Sequence, residues 1–291
     1  MYHNKRTTLG FIGIGLMGEP MVLRLMAADY LVNVWNRSPE KLATSVASGA
    51  QPFNTAAEVV ARSDVIFLCL TDSEAVSAVS VDNAEFMDAL NSKKTVVDFS
   101  SISPVKTRKI AEIVLQKTGA KWIDAPVSGG VKGAEQGTLI AMAGGDPDDL
   151  ERIDPLLKVL TQRVTHMGPV GAGQATKLAN QIIVGCTVAA TSEAIRLAES
   201  LGVDSKQITQ ALAGGFADSL PFQIFGSAMS ERKHEPVSIK LALLHKDLKG
   251  SKDLDTENAL RLDLTETARQ RFAEVIERIG AQESITHLID C

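Results

Sequence analysis

The chain has 291 residues, of which 45% are hydrophobic, 22% charged and 4% aromatic. This length favours two domains, and the composition is typical of a globular α/β protein. The formal net charge of −5 gives no general attraction to a polyanion, so we expect no nucleic-acid partner. The polar first residues lack the apolar core of a signal peptide, and no run of about eighteen apolar residues is free of charge. We therefore expect a cytoplasmic protein without a membrane partner.

The cysteines and histidines show no metal-ligand spacing. Cys69, Cys186 and Cys291 lie far apart in the sequence and are odd in number, so we interpret them as reduced thiols. The five histidines are His3, His166, His234, His245 and His287. Because none of them pairs with another at a spacing typical of metal ligands, we expect no metal site.

Short apolar runs alternate with helix-length amphipathic stretches, which is the pattern of a parallel sheet covered by helices on both faces. The predicted strands are residues 9–14, 31–35, 65–70, 95–99 and 121–125, extended by 138–143 and 164–167. Helices are predicted between them, for example at 17–28, 39–48 and 147–160. Residues 1–168 are therefore predicted to form a Rossmann domain with a doubly wound parallel sheet.

A segment rich in glycine and proline, 168–173, marks the predicted domain junction. After it, residues 174–201 contain no proline and a single glycine, Gly185, and predict one long buried helix that spans both domains. The rest of the chain has helical periodicity and no clear strand. We predict an all-α domain over residues 169–291, and we expect its long helix to bury against another subunit in a homodimer or homotetramer.

The first predicted strand runs directly into Gly13-Ile14-Gly15-Leu16-Met17-Gly18, and a predicted helix follows. In a dinucleotide-binding turn the first glycine permits the tight turn, the second admits the pyrophosphate and the third lets the helix pack on the strand. A lone match is weak, because glycine-rich turns also occur as plain connections. Here a second predicted strand ends about twenty residues further on, where such folds bind the ribose. We therefore predict that these six residues bind the cofactor.

At the end of that second strand the chain has Asn36-Arg37-Ser38, where an NAD enzyme normally has an acidic residue for the ribose 2′-hydroxyl. Arg37 can stack on the adenine and pair with a 2′-phosphate, and Asn36 and Ser38 can donate hydrogen bonds. The alternative is that Arg37 is an ordinary solvated arginine in a loop. Its position and the missing acid favour a cofactor role, and thus NADP over NAD.

Further glycine-rich or polar segments stand out in apolar surroundings. They are Asp-Ala-Pro-Val-Ser-Gly-Gly at 124–130, Gly-Ala-Gly-Gln-Ala-Thr-Lys-Leu-Ala-Asn-Gln at 171–181 and His-Lys-Asp-Leu at 245–248. With the glycine-rich turn, in this order and over nearly the whole chain, they resemble the β-hydroxyacid dehydrogenase family. The resemblance implies hydride transfer between a nicotinamide dinucleotide and a small hydroxy acid or its semialdehyde.

The resemblance places the substrate carboxylate at Ser128, Gly129 and Gly130, and the general acid/base at Lys177. The chemistry agrees with this assignment, since hydride delivery to a carbonyl leaves an alkoxide that must be protonated. A lysine in a closing cleft beside a positive nicotinamide releases its proton more readily than in water. The alternative is a solvated helix lysine, which the apolar neighbours of Lys177 disfavour.

Asn180 and Gln181 follow Lys177 by three and four residues, so they lie on its helix face and are expected to orient the lysine or the substrate. Many family members have two asparagines there, and the longer Gln181 changes the reach of this polar pair. The Lys-Leu-Ala-Asn-Gln string resembles the family's tartronate semialdehyde reductases more than its hydroxyisobutyrate enzymes. We expect NADP-dependent interconversion of a small 3-hydroxy acid and its semialdehyde, with 3-hydroxyisobutyrate, glyoxylate or succinic semialdehyde as alternative substrates.

Other residues are assigned by resemblance with less support from local sequence. Lys246 is expected to meet the cofactor and Asp247 to define the substrate pocket, although a surface Lys-Asp pair is equally compatible with the sequence. Leu70, Thr71 and Ser101 occupy family positions that touch the nicotinamide half of the cofactor, at strand ends where such sheets bind ligands. Simple loop capping is the alternative for these three residues.

Three rival interpretations remain. A decarboxylating dehydrogenase of the 6-phosphogluconate type normally has a much larger helical domain and His-Asn-Gly after its lysine. An imine reductase normally lacks both the lysine and the Ser-Gly-Gly segment. A non-catalytic dinucleotide-binding sensor is the rival from a different class, because fold does not fix function. Neither the larger helical domain nor the His-Asn-Gly string is present here, which argues against the first rival. The presence of Lys177 together with Ser128, Gly129 and Gly130 argues against the other two.

Overall fold

The structure is a computed structural model that describes residues 7–258 and 260–291, without the side chains of 252, 253 and 255–258. The chain divides into two compact units, Met1–Lys177 and Leu178–Cys291. The first unit contains a sheet flanked by helices. The described part of the second unit is helical, with one isolated bridge between Lys240 and Ser284 as its β pairing. The predicted fold class, a Rossmann sheet followed by an all-α domain, is confirmed.

Nine strands in the described part of the first unit form one sheet. They are β1 Thr8–Ile12, β2 Leu31–Trp35, β3 Gln51–Pro52, β4 Val65–Leu68, β5 Thr95–Asp98, β6 Lys121–Asp124, β7 Val127–Ser128, β8 Leu139–Gly144 and β9 Thr161–Gly168. The first six strands pair in parallel in the order β3-β2-β1-β4-β5-β6. The strand order reverses between β1 and β4, and sheets of this type bind ligands at the carboxyl ends of the strands beside such a reversal.

The far side of the sheet departs from the predicted parallel arrangement. Strand β8 runs antiparallel to β6 and β7 and parallel to β9. The predicted strands at 138–143 and 164–167 do extend the sheet, but the two-residue strands β3 and β7 were not predicted, because so short a segment has no readable alternation. Strand β1 ends at Ile12, two residues before its predicted end, because Gly13 turns the chain with φ +102°.

The described part of the first unit contains eight α-helices. They are α1 Gly18–Ala27, α2 Ala43–Ala47, α3 Ala56–Ala61, α4 Ser73–Val79, α5 Ala84–Ala89, α6 Pro104–Thr118, α7 Gly130–Gln136 and α8 Pro147–Leu160. A side chain caps the start of α3, α4, α5, α6 and α8. Helix α6 is capped at both ends, since Ser103 caps it, Pro104 starts it and Gly119, at φ +72°, ends it. The single helix predicted over 39–48 is instead a 3-10 turn, Pro39–Leu42, followed by α2.

Two apolar cores cover the two faces of the sheet. Along β4 the side chains alternate between them, with Phe67 in one core and Ile66 and Leu68 in the other. All four residues of this strand are buried, as expected for a parallel strand covered on both faces. The fold of the first unit therefore follows from apolar strands that have no polar face.

The second unit is built on the end of a long helix, α9 Ala172–Ser200. The other helical segments are α10 Ile208–Leu212, a π-helix Phe222–Gly226, α11 Ser227–Ser230, α12 Leu241–Asn258, α13 Asp263–Ile279 and a 3-10 helix Ile285–Asp290. Val188 and Ile195 of α9 belong to a core that also contains Leu244 of α12 and Phe272 of α13. Helix packing alone therefore forms the core of this unit.

The predicted long helix is present, but its predicted burial is partial. Ile183 and Leu197 are 67% and 63% exposed in this chain. Among the described residues, α9 is also the one helix that is long and apolar enough to cross a bilayer. Length and composition do not identify a membrane span, because the core helix of a globular protein meets the same criterion.

The aromatic cluster under the sheet supplies a test of this packing. Phe67 is fully buried between Phe11 and Phe99, with ring centroids 5.9 and 5.4 Å away. We expect Phe67→Ala to lower the free energy of unfolding by about 3–5 kcal/mol, because it leaves a cavity between two rings. The exposed Leu115 of α6 is the control, and Leu115→Ala should change it by less than about 0.5 kcal/mol. Equal effects of the two substitutions in urea unfolding would contradict the described core.

Candidate active site

The glycine-rich turn joins β1 to α1, and the space around its three glycines differs. A Cβ on Gly13 would lie 2.3 Å from the carbonyl oxygen of Cys69, and one on Gly18 would lie 2.1 Å from that of Gly13. Both positions therefore exclude any side chain. A Cβ on Gly15 would meet no atom within 4 Å, so this residue faces open space. A turn closed on both sides and open at the middle glycine fits a dinucleotide pyrophosphate, which needs close approach to the backbone.

Asn36 fixes the shape of this turn. Its Oδ1 accepts a hydrogen bond from the backbone N–H of Ile14 at 2.9 Å, and its Nδ2 donates to the carbonyl oxygen of Ser38 at 2.9 Å. One of the two N–H donors of the Asn36 amide is thus engaged within the loop. Arg37 beside it is exposed and has no ion-pair partner among the described residues.

The carboxyl ends of β4 and β5 are tied together. The backbone N–H of Leu70 donates to Ser100 Oγ at 2.9 Å, and the backbone N–H of Ser100 donates to Asp98 Oδ1 at 2.9 Å. Thr71 donates through its hydroxyl to Asp72 Oδ2 at 2.9 Å, and Asp72 caps α4. The cap is therefore Asp72, and Thr71 supports it. Ser101, the third predicted residue here, is partly buried in the adjoining loop.

The predicted carboxylate-binding segment has a backbone that only glycine adopts easily. Ser128 ends β7, and Gly129 and Gly130 follow with φ of +128° and +63°. A Cβ on Gly130 would meet no atom within 4 Å. The segment thus presents a partly buried hydroxyl and an open stretch of backbone at the junction between β7 and α7.

Lys177 lies beside this segment. Its Nζ donates to the carbonyl oxygen of Val127 at 2.9 Å, and Val127 immediately precedes Ser128. The lysine is partly buried in the second turn of α9. The structure therefore brings the predicted acid/base next to the predicted carboxylate-binding residues within the first unit.

A buried carboxylate that we did not predict as a site residue anchors the start of α9. Asp124 is fully buried, and its two oxygens accept hydrogen bonds from the backbone N–H groups of Gly171, at 2.7 Å, and Gln174, at 2.8 Å. Burial raises the pKa of Asp124, and these N–H bonds oppose the rise. The carboxylate holds the helix turn that precedes Lys177 against the end of β6.

Asp98 is a second buried acid, aligned with Asp124 in the β5–β6 register. Burial and the charge of Asp124 raise the pKa of Asp98 to about 7. Its Oδ2 is buried and has no hydrogen-bond partner among the described residues. The sequence does contain a signal for this pair, since each aspartate ends an apolar strand, but only the sheet register shows that they are neighbours.

Four predicted residues form one line of contacts in the second unit. Asn180 Nδ2 donates to Gln181 Oε1 at 3.0 Å, and Gln181 Nε2 donates to Asp247 Oδ2 at 2.7 Å. Lys246 Nζ lies 3.5 Å from Asp247 Oδ1. Because Asp247 is only 4% exposed, it is not half of a surface ion pair. The longer side chain at 181 has a specific consequence here, which is the contact with Asp247.

The fold brings together a histidine cluster that sequence spacing did not indicate. His234, His287 and Asp290 place potential ligand atoms within 4.8 Å of one another, although the histidines are far apart in sequence. The two imidazole rings stack with centroids 3.7 Å apart and 16° between their planes. One nitrogen of each ring lies close to the same carboxylate oxygen, Asp290 Oδ2, with His287 Nδ1 at 2.8 Å and His234 Nε2 at 3.2 Å.

A mostly parallel sheet with a glycine-rich turn at its strand-order reversal is the architecture of a dinucleotide-binding protein. The family model for the NAD-binding domain of 6-phosphogluconate dehydrogenase matches residues 8–168. The model described as NAD-binding of NADP-dependent 3-hydroxyisobutyrate dehydrogenase matches residues 171–291. Together they match most of the chain.

Individual proteins agree with these models. The chain is 41% identical to the 2-hydroxy-3-oxopropionate reductase of Escherichia coli, over 94% of this chain and 93% of that protein. The solved structure of Mycobacterium tuberculosis 3-hydroxyisobutyrate dehydrogenase with L-serine is 29% identical, with a TM-score of 0.89 over 98% of both chains. A solved complex with NADP⁺ and 2-OPP is 27% identical, with a TM-score of 0.86 over 97% of this chain and 99% of that one.

The chain belongs to the β-hydroxyacid dehydrogenase family. It is an NAD(P)-binding oxidoreductase of the hydroxy acid and semialdehyde class, as the sequence predicted.

The buried pair of acids gives a pH test. The pKa of Asp98 is about 7 in the folded chain against an ordinary 3.8, so the folded state binds the proton more tightly and loses stability as the pH rises through that interval. We expect Asp98→Asn to remove this loss. The free energy of unfolding of the variant minus that of the parent should therefore increase by about 2 kcal/mol between pH 5 and pH 7. Urea unfolding at several pH values would measure it.

The exposed Asp88 of α5 is the control, and Asp88→Asn should leave the pH dependence of unfolding unchanged. An Asp98→Asn curve parallel to that of the parent would show that Asp98 is ionised in the folded chain.

Proposed function

We propose that this protein is an NADP-dependent reductase of 2-hydroxy-3-oxopropionate (tartronate semialdehyde) that uses Lys177 as its proton donor. The observation that most supports it is the position of Lys177 Nζ, 2.9 Å from the carbonyl oxygen of Val127 and next to Ser128. The 41% identity to a 2-hydroxy-3-oxopropionate reductase supports this substrate over 3-hydroxyisobutyrate, glyoxylate and succinic semialdehyde, which remain the alternatives.

The substrate carboxylate is assigned to Ser128, Gly129 and Gly130. The Ser128 hydroxyl and the open backbone at Gly130 are neutral hydrogen-bond donors, and the ammonium of Lys177 beside them supplies a compensating positive charge. A carboxylate bound at this segment would lie within reach of Lys177. Because the substrate is small, its aldehyde oxygen is only a few bonds from the carboxylate and would also lie within reach of the lysine.

A reduced dinucleotide held at the glycine-rich turn would supply the hydride that the aldehyde carbon gains in the reduction. Lys177 gives a proton to the aldehyde oxygen, which becomes the hydroxyl of the product, and solvent later restores that proton. The carbonyl oxygen of Val127 accepts from Lys177 Nζ and so directs the ammonium toward the Ser128 segment. Dehydrogenation reverses these steps, with neutral Lys177 as the base.

The polar residues of the second unit are assigned supporting roles. Asn180 and Gln181 orient the lysine or a substrate hydroxyl, Asp247 defines the substrate pocket, and Lys246 contacts the cofactor. The contact line from Asn180 through Gln181 to Asp247 supports a fixed orientation for these side chains. Residues 1–168 would then form the cofactor domain and 169–291 the substrate and oligomerisation domain.

The preference for NADP rests on Arg37. It is exposed at the end of β2, and Asn36 beside it is engaged in shaping the turn, so the guanidinium is the charged group available to a 2′-phosphate. Leu70, Thr71 and Ser101 are assigned to the nicotinamide half. One similar solved structure contains NADP⁺, which supports the preference, with NAD as the alternative.

The same proposal includes a cytoplasmic homodimer or homotetramer. The exposed apolar side chains of α9, such as Ile183 and Leu197, would be covered by another copy of the chain. Such a partner also explains why a helix with this composition is only partly buried within one chain.

The decisive experiment is NADPH oxidation with tartronate semialdehyde, methylmalonate semialdehyde, succinic semialdehyde and glyoxylate. We expect the highest kcat/KM with tartronate semialdehyde and a fall in kcat of about 10²–10⁴-fold in Lys177→Ala, because proton transfer is lost. NADPH binding should persist in that variant, and Lys109→Ala, at an exposed lysine of α6, is the control. Full activity of Lys177→Ala would refute the proton-donor role, and NADPH binding without turnover on any aldehyde would favour the sensor alternative.

The cofactor preference has its own test. We expect Arg37→Ala to raise the dissociation constant of NADPH by about 10–100-fold and to leave that of NADH nearly unchanged, because only NADPH loses a charge-assisted hydrogen bond. Fluorescence titration of both dinucleotides measures the effect, with Arg163→Ala, at an exposed arginine of β9, as the control. Equal weakening of both cofactors would assign Arg37 to the adenine and remove the basis for the NADP preference.

A further inference from the structure

Gln174 is a buried glutamine, 1% exposed, one helical turn before Lys177 on α9. Its Oε1 accepts from the backbone N–H of Ile102 at 3.1 Å, and its Nε2 donates to the carbonyl oxygen of Ser100 at 2.7 Å. The side-chain amide therefore binds the backbone on both sides of Ser101. These bonds join positions that are more than seventy residues apart in the chain.

The backbone of Gln174 is also held by a hydrogen bond. The backbone N–H of Gln174 donates to Asp124 Oδ2 at 2.8 Å, so the helix turn cannot follow a movement of the loop without breaking that bond. The loop is held in turn by Ser100, whose Oγ accepts from the backbone N–H of Leu70 at 2.9 Å. One amide thus connects the ends of β4 and β5 to the helix that bears the lysine.

An amide is suited to this position because it offers one acceptor and one donor in a single rigid plane. Both of its partners are backbone groups, and a buried backbone group left without a hydrogen bond destabilises the fold. Gln174 therefore sets the separation between the loop at Ser101 and the first turns of α9, and no apolar side chain of the same length could do so.

We propose that Gln174 is a positioning residue that holds the loop of Ser101 and Lys177 at a fixed separation. The inference rests on the proposed function, which assigns Ser101 to the nicotinamide and Lys177 to the proton. Hydride and proton go to two bonded atoms of one carbonyl group, so both donors must be aligned at once. A misplacement of about 1 Å can cost about 10²-fold in rate.

The test compares Gln174→Met, which keeps the length of the side chain but removes both hydrogen bonds, with Gln223→Met. Gln223 is a matched control in the second unit, since its Nε2 also donates to a backbone carbonyl, that of Thr209 at 3.0 Å. We expect Gln174→Met to lower kcat by about 10–100-fold. The aldehyde KM and the NADPH dissociation constant should change by less than about 3-fold, because Gln174 is buried and is not among the residues assigned to either ligand. Gln223→Met should leave kcat unchanged.

Two further measurements separate positioning from simple stability. The pH profile of kcat should shift in Gln174→Met, and in a Lys177→Ala background the same substitution should cause no additional loss, because it acts through the lysine. A second variant, Gln174→Glu, keeps the acceptor for Ile102 but faces the carbonyl of Ser100 with a carboxylate oxygen, and it should also lose kcat while still binding NADPH.

A Gln174→Met enzyme with a lower Tm but unchanged kcat and pH profile would overturn the inference, as would failure of both Gln174 variants to fold. An active Lys177→Ala enzyme would instead refute the proposed function, so the two failures are distinguishable. Loss of activity in Lys177→Ala with a normal Gln174→Met enzyme would refute the positioning role alone.

Discussion

The first unit depends on the contact between the carboxylate of Asp124 and the start of α9. A buried carboxylate is costly unless it is paired or hydrogen-bonded, and here both oxygens accept backbone N–H groups of the helix start. The same space excludes side chains, because a Cβ on Gly173 would lie 2.7 Å from the carbonyl oxygen of Asp124. Charge and close packing therefore fix one helix end against one strand end, and Lys177 follows one turn later.

The helices and strands that could be predicted from the sequence are those whose structure is determined by their own residues. Long apolar strands such as β4 and capped helices such as α8 can be recognised from their own residues, and α8 was predicted with its observed bounds. The short strand β7 and the antiparallel direction of β8 depend on pairing with distant segments. The glycine-rich turn could be recognised because a steric requirement for glycine acts at Gly13 and Gly18.

The residues of the candidate site also fall into those that local motifs indicated and those that depend on long-range contacts. Motifs indicated Lys177 and the Ser128 segment. They assigned no role to Gln174, although it lies within the 171–181 motif, or to Asp98, because the hydrogen bonds and strand register of these two residues join positions far apart in the sequence. Local sequence also gave no indication that Asn36 shapes the turn, where its Oδ1 accepts a backbone hydrogen bond and its Nδ2 donates one. Local sequence indicates which groups are available, and only the fold determines which of them are already bound.

The two buried acids show how the fold places a charge near the lysine. Asp98 and Asp124 are neighbours in the register, so ionising both would place like charges side by side away from water. Asp124 accepts N–H bonds from the start of α9, whereas Asp98 accepts from Ser100 and has an oxygen without a partner among the described residues. The proton therefore favours Asp98, and the negative charge favours the helix N-terminus, where the helix dipole stabilises it. Because the same charge secures the first turn of α9, the protonation state of Asp98 and the position of Lys177 depend on one set of hydrogen bonds.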